Sequence, residues 1–374
     1  MIIDRSPLRI LAAAALIGLC GCASSEPQRG ATALNESSAE AARSETNRAV
    51  QLAERSESLA DTLTEIHVDS QVWEFAGIRG QVIRTANYEV YTTIRRPQIL
   101  DRLPLFLERV LLHYTSALAE LPVPDKPLQM YLLATRSEWE AKTKQMLPDQ
   151  ADTYLKLGRG GFTTQGTAIL YDIGWRDTLA IAAHEGWHQY TQQMFQNALP
   201  VWLEEGIATY MEGHINSSGP PQFRPWANYE RFSALSQTVR SDRLIPLNEL
   251  LKRTPQTFLT SSKDDLLSYY AQVWALVHFM ASGEEGRYAA ALSEVLEDAA
   301  AGRLAQRIIR SEVIGRRERR VSNSLNLGPA VIQEYFNSNL VEFQSQYEGF
   351  VNQVVAHRGA RGRIFRGLDP REDR

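Results

Sequence analysis

The segment Ala182–Tyr210, AAHEGWHQYTQQMFQNALPVWLEEGIATY, decides how the rest of the chain is read. It contains His184-Glu185-Gly186-Trp187-His188, two histidines four residues apart. On an α-helix such residues lie about 40° apart around the axis and about 6 Å along it, so both imidazoles face one point. Glu185 then stands beside that face, too close along the helix to ligate comfortably but placed to hold a water on a metal ion. Two histidines leave a zinc site one protein ligand short, and a carboxylate on a returning helix completes it. Glu205, in Trp202-Leu203-Glu204-Glu205-Gly206, is the candidate, and the interval after His188 is long enough for the first helix to end, turn and return. Two nitrogens, one oxygen and an open position suit Zn2+. The plain alternative is a pair of surface imidazoles. Ile181, Ala182, Ala183 and Trp187 argue against it, because they bury this helix, where unpaired ionisable groups are costly.

Outward from this segment the chain divides by composition. With 374 residues and a formal net charge of −4, it is long enough for a large core and gives no reason to expect a nucleic-acid partner. Residues 1–22 combine Arg5 and Arg9, an apolar run from Ile10 to Leu19 and small residues, the pattern of a secretory signal peptide. Leu19-Cys20-Gly21-Cys22 resembles a bacterial lipobox, which implies cleavage before Cys22 and a lipid on that thiol; cleavage at another small residue, without lipid, is the alternative. Both cysteines lie here, so the mature body is expected to have no disulfide. A lipid on Cys22 implies membrane anchoring in the cell envelope, and Ala23, unlike an inner-membrane retention signal, favours the outer membrane on its periplasmic side.

Residues 23–66 are polar and free of aromatics, a solvated tether. Residues 67–175 read as an α/β subdomain: strands at 81–85 and 88–94 turning near Ala86-Asn87, a helix over 98–120, a strand at 128–133, a helix over 135–145 with Ser137 as N-cap, and one strand from Phe162 to Asp172. Residues 176–356 read as helical: the His184 helix, capped by Asp177 or Thr178, a second from Val201 to Glu212, an irregular loop after Gly213, then helices near 227–240, 247–252, 265–281, 287–300, 303–315 and 329–353. Residues 357–374 read as a basic, solvated tail. The expected fold class is α+β, with a small N-terminal mixed sheet, the active-site helix and a mostly helical C-terminal part.

HEGWHQ followed by Leu-Pro-x-Trp-Leu-x-Glu-Gly-x-Ala-x-Tyr resembles the gluzincin metallopeptidases, particularly the peptidase MA-like (minigluzincin-like) proteins and, more distantly, the aminopeptidase N family. The resemblance implies a zincin-like domain with His184, His188 and Glu205 as zinc ligands, Glu185 as general base, and Glu204 left solvated. Tyr270-Ala271-Gln272-Val273-Trp274 is similar to the family's downstream tyrosine segment and implies Tyr270 as oxyanion partner; packing of Tyr269 and Tyr270 at a helix start is the alternative. One departure matters. Thr163 stands where aminopeptidases carry the amine-binding Glu of Gly-x-Met-Glu-Asn, so recognition of a free N-terminus is not expected. The expectation is therefore a zinc-dependent peptide-bond hydrolase acting on peptide or protein substrates. A catalytically inactive, metal-holding binding or scaffold lipoprotein is the alternative.

Overall fold

The computed structural model describes residues 63–156, 160–215, 219–258, 263–315 and 327–372. The signal peptide, Cys22 and nearly all of the tether lie outside the described residues. Alternating β-branched and aromatic positions form β1 (Asp69–Phe75), β2 (Ile78–Arg84) and β3 (Tyr88–Thr92), an antiparallel meander. The β2–β3 hairpin reverses at the expected Ala86-Asn87. There Asn87 donates from its backbone N (2.8 Å) and Nδ2 (2.6 Å) to the Glu108 carboxylate on α1 (Leu103–Ser116). β4 (Leu128–Leu133) lies parallel to β3 and to β6 (Thr167–Tyr171), and β5 (Gly161–Thr164) closes one edge antiparallel to β6. The sheet order is β1-β2-β3-β4-β6-β5, so β5 is an edge strand. The single strand expected from Phe162 to Asp172 is thus a hairpin. It turns at Gln165-Gly166, where φ is 49° and 71°, a conformation that Gly166 supplies without steric cost.

One face of the sheet carries Val90, Met130, Leu132, Ala168 and Leu170 into the main core, beneath α1 and α3 (Trp175–Met194). The other face packs Leu133, Ile169 and Tyr171 around Trp139 of α2 (Arg136–Met146). The cap of α2 is Thr135, two residues before Ser137: its Oγ1 accepts from Glu138 N at 3.2 Å. Neither Asp177 nor Thr178 caps α3. Gly174 occupies that position at φ 109°, and the Thr178 hydroxyl instead accepts from Ile173 N and donates to Asp172 Oδ1, each at 3.0 Å.

The helical part continues with α4 (Val201–Met211), α5 (Tyr229–Arg240), α6 (Lys263–Ser282), α7 (Ala289–Ala300), α8 (Leu304–Arg310) and α9 (Leu340–Ala356). The molecule is α+β, as its sequence implies. Among the described residues no helix is long and apolar enough to cross a membrane. Three expectations change. The irregular loop contains a short antiparallel pair, β7 (His214–Ile215) and β8 (Gln222–Phe223). The 329–353 helix is broken: a π-helical turn over Ile332–Phe336 ends before Asn339, whose side chain caps α9 by accepting from Val341 N and Glu342 N. The basic tail is packed rather than solvated. Its helix α10 (Ala360–Phe365) buries Ala360 and Ile364, and Phe365 stacks on Tyr229 at 4.5 Å. Its charge is met by aromatic faces and by carboxylates: Arg361 lies over Tyr229 at 5.1 Å, Arg371 over Phe350 at 4.4 Å, and Arg363 pairs with Glu372 at 2.9 Å.

α4 and α6 approach closely at Gly206, where an added Cβ would stand 2.8 Å from both the Val273 carbonyl oxygen and Val277 Cγ2. A backbone oxygen cannot swing aside, so the helices would have to separate. Gly206→Ala is expected to destabilise the fold by about 1–3 kcal/mol, read as a lower urea midpoint with an unchanged slope.

Candidate metal centre

α3 reaches the site already fixed on two sides. Against α1, Tyr114 Oη donates to the Ala183 carbonyl at 2.5 Å, and a Cβ on Gly186 would lie 2.6 Å from that hydroxyl. The glycine inside the histidine motif therefore admits the tyrosine. Against the sheet, Gln189 and Gln193 donate to the Gly166 carbonyl at 3.0 and 2.7 Å, and Gln192 Oε1 accepts from Gly166 N at 2.9 Å. The turn into α4 is stapled to the end of α7 by Asn197 N donating to Ala299 O at 3.0 Å.

This framework brings His184, His188 and Glu205 together, with one potential ligand atom from each and all three atoms within 4.8 Å of one another. The two Nε2 atoms are 3.3 Å apart, and Glu205 Oε2 lies 3.5 Å from that of His184 and 3.7 Å from that of His188. The far nitrogens are held by carboxylates: His184 Nδ1 meets Glu212 Oε1 at 2.8 Å, and His188 Nδ1 meets Glu204 Oε1 at 2.9 Å. Glu204 is therefore not the solvated neighbour that the resemblance implied; it also accepts from Thr191 Oγ1 at 2.7 Å. A carboxylate can only accept from these Nδ1 atoms, so a neutral imidazole in either place turns its Nε2 lone pair toward the other and toward Glu205. Glu205 Oε2 is buried without a hydrogen-bond partner among the described residues. Two lone pairs and an orphaned carboxylate oxygen converging on one point fit a cation.

Without an ion, protons answer the same need. Burial alone would push His184 down, but its contacts with Glu205 and Glu212 raise it to about 9. His188 is likewise penalised by burial and raised well above its ordinary range by the charge of Glu205 and its bond to Glu204. Burial would raise Glu205, and the charge of His188 brings it far below the usual carboxylate range. Glu212 is offset against burial by the Arg231 charge and by His184, to about 2.

Glu185, partly exposed, sits beside the cluster, and its carbonyl accepts from Thr163 Oγ1 of β5 at 2.8 Å. Tyr270, on α6, places its ring edge-on to that of His184, with centroids 6.1 Å apart and planes at 72°. Burial chiefly, and then the charge of Glu205, keep its phenol protonated far above the ordinary range, so it is a donor. All five residues marked in the sequence thus gather at one place. Glu212, Asn228 and Arg231 were not foreseen. Glu212 follows Glu205 by two helical turns, on the same face, so periodicity alone could have marked it.

Residues 178–299 match the model of a family described as a protein of unknown function (DUF1570), a span that includes the site helices and Tyr270. No curated protein matches the chain.

The raised histidine and lowered carboxylates fix a pH window for the metal-free protein. His184 stabilises below its ordinary 6.5, and that contribution is lost as pH rises through about 9. Glu205 and Glu212 stabilise above their ordinary 4.5 and lose that contribution in acid. Thermal melts of chelator-treated protein are expected to peak between these ordinary values of 4.5 and 6.5 and to fall toward pH 9. A divalent cation held by these donors is expected to reverse the alkaline slope when added in excess, because ligand deprotonation favours the ion.

Proposed function

We propose that this chain is a zinc-dependent peptide-bond hydrolase of the gluzincin type. The observation that carries the reading is the spacing of the donors. Two nitrogens on a tetrahedral zinc at about 2.0–2.1 Å are separated by roughly 3.3–3.4 Å, and the two Nε2 atoms are 3.3 Å apart. Each imidazole also has a carboxylate behind it, the arrangement that fixes the tautomer and raises ligand basicity.

A zinc ion in this cage supplies Lewis acidity that brings the ionisation of water to near neutral pH. Glu185 follows His184 on α3 and its charge acts on the Tyr270 phenol; on this reading its carboxylate accepts a proton from the attacking water and delivers it to the leaving amine. The Tyr270 phenol, protonated at all working pH, donates toward the carbonyl oxygen as negative charge develops there. β5 is an edge strand whose unpaired side suits an extended peptide added as a further strand. Thr163 on that strand carries no charge, and its hydroxyl is engaged with the Glu185 carbonyl. It supplies no carboxylate to a free ammonium group, which argues against a simple aminopeptidase.

The peptidase resides, on this reading, outside the cytoplasm, tethered by a lipid on Cys22. Cleavage of a mixed peptide library, abolished by chelator and restored by zinc, is the expected result. Glu185→Gln should bind zinc as the wild type does while losing at least about a hundredfold in kcat, whereas His188→Ala should lose the ion. Zinc binding with no turnover in the wild type would instead favour a metal-holding scaffold protein.

A further inference from the structure

Arg231 lies on the first turn of α5, nearly buried, and its side chain touches both halves of the site. Its edge grips Glu212 twice, Nη2 to Oε1 at 2.8 Å and Nε to Oε2 at 3.2 Å. Glu212 Oε1 is the atom that meets His184 Nδ1. Its face lies over the Tyr270 ring, 5.0 Å from the centroid. Tyr270 in turn stands edge-on to His184. The four groups therefore close a ring: imidazole, carboxylate, guanidinium, phenol, imidazole. Asn228 fixes the origin of that ring. Its Oδ1 caps α5 by accepting from Arg231 N at 3.3 Å, and its Nδ2 donates to Glu212 Oε2 at 2.7 Å.

The sharing of one guanidinium between a carboxylate and an aromatic face uses two properties that lysine does not combine. An ammonium can pair with Glu212 as a point charge, but it has neither the fork that fixes both oxygens nor the plane that stacks on a ring. Removal of the cation altogether leaves Glu212 buried beside His184 with a single neutral donor, Asn228, in addition to the imidazole.

We propose that Arg231 is the positioning residue that couples the metal-holding half of the site to the phenol of Tyr270, setting the His184 ring through Glu212 and the Tyr270 ring through stacking. The inference rests on the hydrolase reading for its kinetic consequence and stands apart from it for its effect on metal affinity. Three substitutions in the full chain separate the two halves. Arg231→Met should weaken zinc binding by about 10- to 100-fold in competition with a chromophoric chelator. Arg231→Lys should restore zinc affinity to within a few-fold of wild type but lower kcat on the order of tenfold to a hundredfold at little changed KM. Tyr270→Phe in the Arg231→Lys background should then lower kcat no further, because the phenol is already misplaced. Wild-type zinc affinity in Arg231→Met, wild-type kcat in Arg231→Lys, or additive losses in the double variant would each overturn the coupling. If the wild type binds zinc without cleaving peptides, the hydrolase reading fails. The inference is then judged on zinc alone, with loss in Met and recovery in Lys expected and equal affinities overturning it.

Discussion

Two imidazoles and three carboxylates share one small buried volume between α3 and α4, and the surrounding structure is arranged around the cost of keeping them there. Charge taken out of water is tolerated only where it is paired and hydrogen-bonded. Each carboxylate has a different answer: Glu204 has His188 and Thr191, Glu212 has His184, Asn228 and Arg231, and Glu205 has only the two imidazole edges. The least satisfied member is the one aimed at the centre. That asymmetry sets His184, His188 and Glu205 apart as the group that could hold a metal ion.

The scaffold meets this demand by close approach. α3 is held to α1 through a tyrosine that fits only over glycine, and α4 is held to α6 through a glycine that fits against a backbone carbonyl. α6 is buried along most of its length, with Val273, Trp274, Leu276, Val277 and Phe279 inaccessible to solvent. A helix so enclosed has little freedom to rotate, so Tyr270 is held by the same packing that holds α4. The sheet contributes through three glutamines that grip the β5–β6 turn and a threonine that ties the edge strand to the motif helix.

What was legible in the sequence was what two short periodicities encode. The four-residue histidine spacing specified a helix face, and the apolar flanks specified its burial. The stretch through Glu205 to Gly206 specified a return. Alternation marked the strands from β2 to β6, but β1 was not read from the sequence, and Gln165-Gly166 divided a continuous β-forming run. Glu204 was misjudged because adjacent residues on a helix point about 100° apart, and without the position of His188 the outward direction is not distinguishable from the inward one. Arg231 and Asn228 were invisible for a different reason: nothing in a single chain's spacing says which face of α5 meets the end of α4. The C-terminal helix was hidden by its arginines, whose charge suggests solvent, although Arg361 lies over Tyr229 and Arg363 pairs with Glu372.

Distance along the chain sorts the site's parts into two groups. Both histidines and all three carboxylates fall between residues 184 and 212, a helical hairpin whose contacts are local. Tyr114 and the Gly166 turn support it from earlier in the chain, and further supports come from much later: Arg231, then Tyr270, and finally Phe365, stacked on Tyr229 beside the cap of α5. Local contacts form with little loop-closure entropy, whereas those buttresses must wait for distant segments. In a chain emerging from its N-terminus, the two histidines and three carboxylates are made before the guanidinium and the phenol that lie against them. The order of synthesis therefore places the buried charge ahead of the helices that offset and enclose it.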